Sequence, residues 1–268
     1  MTVGVIVCGV GGRMGGAVVR AVAQSPGFKL AAGIDKRDSI RLGKDAGEIS
    51  AAGRLGVAVS EAIEPHLKSD TVIIDFTNPE ASLNNLRAAA SKKIPMVIGT
   101  TGFNAQQLAE IKKLSRRTAV IVAANTSLGV NLLVNLLGKV AEKLGDDYDV
   151  EIIEAHHRFK KDAPSGTALA MGRAIAKGLN RDLDAVGING RKGMVGERGK
   201  KEIALLSVRA GDIVGEHTVI FGGIGERIEF IHRAHSRDTF ARGAIRAAQW
   251  LAKQKSGLYG MQDVLGFD

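Results

Sequence analysis

Residues 1–125 alternate short apolar runs with longer segments of helical pattern. The apolar runs are TVGVIVCG, FKLAAGID, VIIDFT, PMVIGT and TAVIVAAN, and the segments between them include GGAVVRAVAQ, ASLNNLRAAASK and AQQLAEIKKLSRR. Strands and helices in strict alternation predict a parallel sheet with helices on its faces. We therefore predict an α/β chain whose first part is a Rossmann-type, doubly wound parallel sheet.

The pattern changes near Asn125, which indicates a second domain. The segment SLGVNLLVNLLGKVAEKL has apolar residues nearly all round a helix, so we expect this helix to be buried, between two domains. A strand, VEIIEAHH, and a helix from about Thr167 to Leu179 follow, and then three β-like runs, IALLSVR, EHTVIFGG and ERIEFIHRA. These patterns predict an α+β domain with an antiparallel or mixed sheet.

Two other segments complete the outline. Residues 180–201 are rich in glycine and charge and lack apolar periodicity, which predicts a long mobile loop. The segment RDTFARGAIRAAQWLAKQ is an amphipathic helix that we expect to pack back on the first domain. We therefore assign residues 1–126 and 239–268 to a dinucleotide-binding domain and residues 127–238 to a substrate domain.

The charge balance narrows the class of ligand. Lys and Arg number 37 against 28 Asp and Glu, and the formal charge of +9 suits nucleic acid, an acidic membrane or anionic small molecules. Aromatic residues make up only 4% of the chain, and no basic run is interleaved with them as in single-strand binders. No apolar stretch reaches the roughly eighteen residues of a membrane-spanning helix. We expect a phosphate-bearing cofactor and a carboxylate substrate, and neither nucleic acid nor a membrane as partner.

The cysteine count bears on the compartment. Cys8 is the one cysteine, so it cannot form an internal disulfide, and its place in an apolar strand predicts a packed thiol. The apolar start has no cationic segment ahead of it, which favours a strand over a signal peptide. Both features fit a protein of the reducing cytoplasm.

The first strand leads into a glycine-rich turn, followed at once by a helix. The residues of this turn are Gly9, Val10, Gly11, Gly12, Arg13 and Met14. Met14 stands where GxGxxG would have its third glycine, so the better match is GxxGxxG with Gly9, Gly12 and Gly15. The backbone N–H groups of such a turn can hold a pyrophosphate at the helix start, although an ordinary tight turn has the same pattern.

The second strand ends about twenty residues further on, at the place where dinucleotide-binding sheets contact the adenosine ribose. Asp35 stands there, followed by Lys36 and Arg37. An acidic residue can hold the ribose hydroxyls of NAD, whereas the two cations can neutralise the 2′-phosphate of NADP. The sequence therefore leaves NADH, NADPH or both open.

Three more strands end in small or polar residues. The strand ends are Asp75-Phe76-Thr77, then Gly99, Thr100 and Thr101, and then Ala123, Ala124, Asn125 and Thr126. Helix capping and turn formation explain each one singly. Because the carboxyl ends of parallel strands lie at one edge of a sheet, together they favour a cofactor crevice.

The segment EAHHRFKKDAPSGTAL, residues 154–169, is the candidate catalytic cluster. His156 and Lys160 are four residues apart, which places them on one side of either a strand or a helix. His157 is then expected to face elsewhere, toward a carboxylate. Lys161 is read as part of a solvated basic face. Neighbouring histidines on a strand diverge, and neither HExxH nor paired cysteines occur, so we expect no metal.

The same segment contains a helix start suited to an anion. In DAPSGTAL, a proline and small residues precede the helix. The N–H groups of Gly166 and Thr167 and the hydroxyls of Ser165 and Thr167 are expected to be free to bind a carboxylate. Cations beside such a helix start indicate a carboxylate-bearing substrate.

These motifs resemble those of the 4-hydroxy-tetrahydrodipicolinate (dihydrodipicolinate) reductases of lysine and diaminopimelate biosynthesis. The resemblance covers nearly the whole chain and is carried by GGRMG at Gly11, DFT at Asp75, GTTGF at Gly99, EAHHRFKKDAPSGTAL at Glu154, VRAGDIVGEHTV at Val208 and GLYGMQDVLG near the end. It implies a small cyclic dicarboxylate substrate, 2,3-dihydrodipicolinate or its hydrated precursor, which is reduced to tetrahydrodipicolinate by hydride from NADH, NADPH or both.

The resemblance also implies roles for individual residues. Hydride would reach C4 of the substrate ring, and the resulting enamine would need a proton at C3. His156 matches the family's acid, a task that suits imidazole because its ordinary pKa lies near working pH, and Lys160 matches an auxiliary donor. Matches to substrate-binding positions are His157, Ser165, Gly166 and Thr167, and matches to cofactor positions are Gly9 to Met14, Asp35, Lys36, Gly99 to Thr101 and Ala123 to Thr126.

One position departs from the family. An aromatic or other bulky residue usually follows the asparagine that corresponds to Asn125, and Thr126 stands there instead, so the contact at the nicotinamide end is expected to be looser or differently shaped. Family members are commonly homotetramers assembled through the second-domain sheet. The apolar alternation in IALLSVR and TVIFGG is compatible with such burial, which makes residues 127–238 a substrate-binding and oligomerisation domain.

Two other functions fit parts of the pattern. Another two-domain dehydrogenase, acting on aspartate semialdehyde or a quinate-like acid, would share the Rossmann half, but Cys8 in the first strand is not placed as a nucleophile. A non-catalytic NAD(P)-sensing or nucleic-acid-binding protein would use the basic charge. It would have no need of the histidine and lysine cluster at residues 154–169.

Overall fold

The computed structural model describes residues 2–267, which form two compact units. The first unit contains the chain up to Leu128 and again from Arg237 onward, and the second is Gly129–Ser236. Among the described helices, none combines the length and apolar character needed to cross a bilayer.

A parallel sheet of seven strands lies at the centre of the first unit. Its strands are β1 (Val3–Cys8), β2 (Phe28–Ile34), β3 (Val59–Ser60), β4 (Thr71–Asp75), β5 (Met96–Ile98), β6 (Ala119–Val122) and β12 (Gly257–Tyr259). They lie in the order β12-β6-β5-β4-β1-β2-β3. Because β1 pairs with β2 on one side and β4 on the other, the winding reverses at β1, and sheets of this kind bind ligands at that point. The predicted doubly wound sheet is confirmed.

Helices cover both faces of this sheet. They are α1 (Arg13–Gln24), α2 (Ala46–Ile49), α3 (Pro79–Lys92), α4 (Ala105–Leu114), α8 (Asp238–Leu251) and α9 (Met261–Leu265). Val5 and Val7 belong to one buried cluster with α1 and α8, whereas Ile6 and Cys8 belong to another with α3 and α4. A strand buried on both faces has no alternation of polarity, which is why the run GVIVC is continuously apolar. Cys8 is a packed thiol, as predicted, and burial raises its pKa.

The C-terminal amphipathic helix packs on the first unit, as predicted. Ala241, Ala244 and Ala248 of α8 are fully buried in the cluster that also contains the apolar face of α1. Small residues let the backbones approach: a Cβ on Gly243 would lie 1.7 Å from the carbonyl oxygen of Thr126. The helix therefore supports the segment that follows β6.

The second unit contains a mixed sheet of five strands, which confirms the predicted α+β domain. The strands are β7 (Asp149–His156), β8 (Gly187–Ile188), β9 (Ile203–Arg209), β10 (Gly215–Gly222) and β11 (Arg227–Ala234), in the order β11-β10-β7-β9-β8. The helices α5 (Leu128–Leu144), α6 (Gly166–Gly178) and α7 (Leu183–Val186) accompany them. β10 runs antiparallel to β7 and β11, whereas β7, β9 and β8 are parallel.

Two expectations for this unit are wrong in part. In α5, Leu137 is fully buried but Leu132 and Leu136 are 49% and 40% exposed, because only one side of the helix meets the core of the unit. The segment 180–201 is not wholly a loop, since it contains α7 and β8. The Asp182 side chain caps α7, and β8 pairs with β9. Neither short element extends over enough residues to produce a periodic pattern.

Candidate active site

Two cavities of about 400 Å³ each lie at the carboxyl ends of the central strands of the first unit. Both are lined by Gly12, Phe76, Thr77 and Asn78. One is also lined by Gly9, Asp35 and Lys36, and the other by Arg13, Met14, Gly99, Thr100 and Thr101. The structure therefore brings together most of the residues that the sequence assigned to a cofactor crevice.

The glycine-rich turn follows the GxxGxxG spacing. Gly9 has a φ of +79°, which favours glycine. A Cβ on Gly12 would lie 3.2 Å from the Gly9 carbonyl oxygen, and one on Gly15 only 2.0 Å from the same atom. The first glycine permits the turn and the third permits close contact between α1 and the turn.

Some N–H groups of the turn already have acceptors within the protein, and only the others are available to a ligand. Those of Gly9 and Val10 both donate to the carbonyl of Ile34, at 2.8 and 3.1 Å, and that of Gly12 donates to Gly9 at 2.9 Å. Val10 is 1% exposed, so it supports the turn from beneath instead of facing the crevice as predicted.

The N–H groups of the next residues are different. Within residues 2–267, the N–H of Gly11 has no acceptor. Those of Arg13 and Met14 lie in the first turn of α1, where a helix offers no internal acceptor. Three N–H groups at the positive end of a twelve-residue helix form a suitable cradle for a pyrophosphate.

Asp35 follows β2 and lies beside the turn. Its carboxylate accepts hydrogen bonds from the Lys36 N–H at 3.0 Å and from the Ser39 hydroxyl at 2.8 Å. A Cβ on Gly11 would lie 2.4 Å from Asp35 Oδ2, so the carboxylate faces the turn directly. This is the position predicted for contact with a ribose.

The carboxylate of Asp75 organises the end of β4. Its Oδ1 accepts hydrogen bonds from the hydroxyls of Thr77, Ser82 and Thr100 at 2.7, 2.6 and 3.0 Å, and its Oδ2 accepts one from the Asn85 amide at 2.8 Å. Asp75 is fully buried. The Thr100 hydroxyl is thus committed to the floor of the crevice.

Next to this floor, Phe76 packs over the end of β5. A Cβ on Gly99 would lie 2.1 Å from Cε1 of Phe76, so only glycine admits the ring. Thr101, two residues further on, is exposed. The predicted strand-end residues therefore divide into packing positions and exposed positions.

The end of β6 differs from its sequence interpretation at one residue. Ala124 is exposed, and the Asn125 side chain accepts a hydrogen bond from the Ser127 N–H at 2.8 Å. Thr126 is only 1% exposed, and its hydroxyl donates to the Phe240 carbonyl at 2.7 Å. The Thr126 side chain is therefore anchored to α8. It packs in the interior and does not face an open cofactor contact.

In the second unit, His156 ends β7 beside a buried carboxylate. Its Nδ1 lies 2.6 Å from Oε2 of Glu154. With Glu154 ionised, Nδ1 is the donor in this pair, and Nε2 is the ring nitrogen that Glu154 leaves available. The ring lies over Gly215, where a Cβ would be 3.1 Å from Nε2. The arrangement presents one defined nitrogen.

Glu154 is fully buried and is held by several donors. Arg209 of β9 donates to both of its oxygens at 2.8 Å, and the Ser165 N–H donates to Oε1 at 3.1 Å. Burial acts to raise the pKa of Glu154, but hydrogen bonds from Arg209, His156 and Ser207 outweigh it and hold the pKa at about 2. The carboxylate is therefore charged at neutral pH.

The environment sets the pKa of His156 by opposing effects. Burial lowers it, and the charges of Lys160 and Arg209 act in the same direction, whereas Glu154 raises it. The net direction is downward from the ordinary value. The imidazolium therefore gives up its proton more readily than a free histidine would, while Glu154 keeps that form accessible.

A second histidine lies behind the first. The ring centroids of His156 and His217 are 5.3 Å apart in an edge-to-face arrangement. His217 is 4% exposed, and burial, with the neighbouring charges of His156 and His232, lowers its pKa to about 3. It is neutral at working pH and acts as a packed wall of the site.

Ser165 connects this wall to the helix start. Its hydroxyl lies 3.2 Å from Nε2 of His217 and accepts the Ala168 N–H of α6 at 3.2 Å. Ser165 is 2% exposed, so the expectation that its hydroxyl is free for a carboxylate is wrong. Gly166 is exposed with open space beside it, which fits the predicted anion site at the helix start.

His157 and Lys160 lie in the turn after β7, not on a continuous strand or helix. The Lys160 N–H donates to the His157 carbonyl at 3.1 Å, and Lys160 Nζ donates to both oxygens of Asp162 at 2.8 Å. The centroid of the His157 ring lies 6.2 Å from that of Phe159. His157 was expected to face a carboxylate, but none among the described residues contacts its ring. Lys160 nevertheless affects the pKa of His156, so its charge belongs to the same site.

No group of three or more His, Cys, Asp or Glu side chains among residues 2–267 is arranged to hold a metal ion.

Two family models divide the chain between them. The model described as dihydrodipicolinate reductase, N-terminus, matches residues 3–126, and the one described as dihydrodipicolinate reductase, C-terminus, matches residues 129–265. The chain belongs to the dihydrodipicolinate reductase family. The resemblance identified from the motifs is confirmed.

Individual relatives agree with this assignment. A 4-hydroxy-tetrahydrodipicolinate reductase of Syntrophus aciditrophicus (strain SB) is 53% identical, with 98% of each chain covered. One of Thiobacillus denitrificans (strain ATCC 25259 / T1) is 50% identical, with 99% of each covered. The solved structure of a dipicolinate-bound dihydrodipicolinate reductase from Paenisporosarcina sp. TG-14 matches with a TM-score of 0.74 and 26% identity, covering 98% of this chain and 99% of that one.

Two residues of the site in this dihydrodipicolinate reductase family member are not predicted from the sequence. They are Arg209 and His217, although both lie within the motif VRAGDIVGEHTV. The role of Glu154 was also missed, although the period of two along a strand places it on the same face as His156. Only the pairing of β7 with β9 and β10 shows that all three strands contribute to one cluster.

Proposed function

We propose that this protein reduces 4-hydroxy-tetrahydrodipicolinate, or the 2,3-dihydrodipicolinate formed from it, to tetrahydrodipicolinate with NADH or NADPH in lysine and diaminopimelate biosynthesis. The observation that carries the proposal is the Glu154–His156 pair at 2.6 Å, with Arg209 on the carboxylate and the start of α6 beside it. A proton donor next to cations and a helix start suits a substrate that has two carboxylates and must accept a proton on a ring carbon.

The first unit fits a nicotinamide dinucleotide. The available N–H groups of Gly11, Arg13 and Met14 suit the pyrophosphate, and Asp35 suits the adenosine ribose. Gly99, Thr100 and Thr101 and the segment from Ala123 to Asn125 would line the rest of the crevice. A reduced nicotinamide, when bound, supplies the hydride. We propose that both NADH and NADPH are used, because Asp35 suits the ribose hydroxyls of NADH and the segment that follows it is basic enough to offset the 2′-phosphate of NADPH.

The residues of the second unit perform the proton chemistry. His156 donates the proton from Nε2 to C3 of the ring after C4 has received hydride. Glu154 holds the imidazole through Nδ1 and stabilises its charged form before transfer. Lys160 offsets the charge of the dicarboxylate and serves as an auxiliary donor. We assign the binding of substrate carboxylates to His157, Gly166 and Thr167, with Ser165 holding the helix start in place.

We also propose that the enzyme acts as a homotetramer in the cytoplasm. On the face of the second-unit sheet opposite its core, Leu206, Ile153, Thr218 and Ile231 lie in register across four strands. Ile231 is 45% exposed and Val208 is 44% exposed. Covering this face with further copies would remove apolar surface from water. One packed cysteine fits a reducing compartment.

Assembly is tested by light scattering on purified protein. Ile231→Glu is expected to convert tetramers into smaller species, because a carboxylate would enter the covered face. Ile40→Glu, at an 81% exposed position of the first unit, is the matched control and should leave the mass unchanged. A monomeric wild-type protein would refute the tetramer.

The activity is tested by following NADH and NADPH oxidation, each separately, with substrate freshly generated from pyruvate and aspartate semialdehyde. Substrate-dependent oxidation supports the proposal, and its absence in a folded protein that binds dinucleotide contradicts it.

A variant identifies the acid. His156→Gln should lower kcat by about 10²- to 10⁴-fold, the usual range for a general acid, with little change in dinucleotide affinity. His66→Gln, on the turn Glu64–His66 of the first unit, is the control and should retain full turnover. Equal losses of turnover and dinucleotide affinity in His156→Gln would argue against its role as proton donor.

A further inference from the structure

Arg41 lies against the phosphate-binding turn, although nothing in its sequence context marks it. A Cβ on Gly11 would be 2.8 Å from Arg41 Cδ and 3.0 Å from its Nη1. The same point lies 2.4 Å from Oδ2 of Asp35. A guanidinium and a carboxylate therefore lie against the same glycine, at the place proposed for the adenosine ribose.

The local backbone holds Arg41 in this place. Its N–H donates to the Ser39 hydroxyl at 3.3 Å, and that hydroxyl donates to Asp35 at 2.8 Å. Ser39 is 9% exposed, so the turn from Asp35 to Arg41 is anchored by a buried side chain. Asp35, the residue proposed to bind the ribose, therefore positions the Arg41 backbone through Ser39.

The charge of Arg41 is uncommitted, unlike those of the two cations next to Asp35. Within the described chain its guanidinium has no hydrogen-bond or ion-pair partner. Lys36 pairs with Asp38 at 3.1 Å, and Arg37 extends into solvent with 93% of its side chain exposed, 4.0 Å from Glu61. An unpaired guanidinium held beside a phosphate-binding turn is suited to an anion on the ligand.

We propose that Arg41, rather than Lys36 or Arg37, binds the 2′-phosphate of NADPH. This proposal rests on the dinucleotide function proposed for the first unit. A guanidinium can contact a phosphate through two N–H groups, and its charge offsets the repulsion that Asp35 would exert on that phosphate. With NADH, Asp35 would accept hydrogen bonds from the ribose hydroxyls and Arg41 would contribute little.

The test measures binding of 2′,5′-ADP and 5′-ADP by calorimetry, which needs no turnover. Arg41→Ala is expected to weaken 2′,5′-ADP about tenfold, in line with loss of a partly solvated charge-assisted hydrogen bond, and to leave 5′-ADP within twofold. Lys44→Ala removes an exposed cation three residues away and is the matched control. The KM values for NADPH and NADH should change in the same pattern.

The outcomes separate this proposal from the one on which it rests. Unchanged 2′,5′-ADP binding in Arg41→Ala, or a larger loss in Lys36→Ala or Arg37→Ala, overturns the role of Arg41. If neither nucleotide binds the wild-type protein, the dinucleotide site itself is wrong and this proposal falls with it. If both nucleotides bind and Arg41→Ala is selective, but no substrate-dependent oxidation occurs, Arg41 is supported and the reductase proposal fails.

Discussion

Replacing Glu154 with Gln tests how the site controls its proton. The substitution keeps the shape of the side chain and removes the charge that faces Nδ1 of His156 at 2.6 Å. A hydrogen bond to a charged group contributes about 1.5–3 kcal/mol, and about 1.4 kcal/mol corresponds to one pKa unit. We therefore expect the pKa of His156, already below its ordinary value, to fall by a further one to two units.

The kinetic consequence follows from the fraction of His156 that carries a proton. As the proposed proton donor, His156 must be protonated for turnover, so activity is expected to fall as pH rises through the pKa of His156. The Glu154→Gln variant should show the same descending limb about one to two units lower, with kcat reduced about 10- to 100-fold above it. The assay is kcat against pH between 5 and 9 under saturating substrate.

Stability should change as well. Arg209 loses its bidentate partner, and breaking a buried pair costs about 3–5 kcal/mol. Because 20% of the Arg209 side chain is exposed and it also donates to the Asp162 carbonyl, we expect the lower end of that range in denaturant unfolding.

The matched control lies on the same strand. Glu151→Gln removes a carboxylate that pairs with Arg191 and Arg198 on the opposite face of β7. It should leave the descending limb of kcat where it is in the wild-type protein. A folded Glu154→Gln variant with an unshifted limb would refute the positioning of His156 by Glu154.

Three further predictions concern packing and pH. Gly15→Ala should destabilise the protein by at least about 1–3 kcal/mol in denaturant unfolding, because its Cβ would lie 2.0 Å from the Gly9 carbonyl oxygen. Gly16→Ala is the control and should be neutral or stabilising, because nothing lies nearer than 3.8 Å to its Cβ. Equal effects of the two substitutions would contradict the close contact at Gly15. His217 stays neutral in the folded protein, because its pKa is about 3 there against 6.5 when free. Its contribution to stability should therefore be full above pH 6.5 and fall by about 1.4 kcal/mol per pH unit below it. His217→Gln should flatten that slope in unfolding curves between pH 6.5 and 5, and an unchanged slope would count against the buried neutral form. Thr126→Val should lower the free energy of unfolding by about 1–2 kcal/mol through loss of its hydrogen bond to a carbonyl of α8 while leaving the KM for dinucleotide within twofold, and a large KM change with unaltered stability would instead assign it a ligand contact.

Much of the first unit follows from local pattern alone. The strands are buried on both faces, so each reads as a short apolar run, and the glycines needed by the turn are visible as GxxGxxG. Short-range sterics decide these features, since Gly9 requires a positive φ and Gly15 a close approach six residues away. The motif at residues 154–169 likewise indicates the family from the order of its residues alone.

Other properties depend on which segments meet. The continuous apolar character of α5 predicted burial all round, but one side is open because a core covers only the side that contacts it. The sequence predicted that Thr126 alters the contact at the nicotinamide end. Its hydroxyl instead donates a hydrogen bond to the carbonyl of Phe240, more than a hundred residues later in the chain.

The sequence by itself determined the class of fold, the glycine-rich turn after β1 and the histidine and lysine motif, because each depends on neighbours within about twenty residues. Only the tertiary structure decided that Arg209 and His217 complete the environment of Glu154 and His156, and that Arg41 lies on Gly11. These contacts depend on strand pairing and on the path of the chain between elements. A residue's own sequence neighbourhood contains no information about a partner brought to it in that way, since the same local pattern is compatible with many pairings.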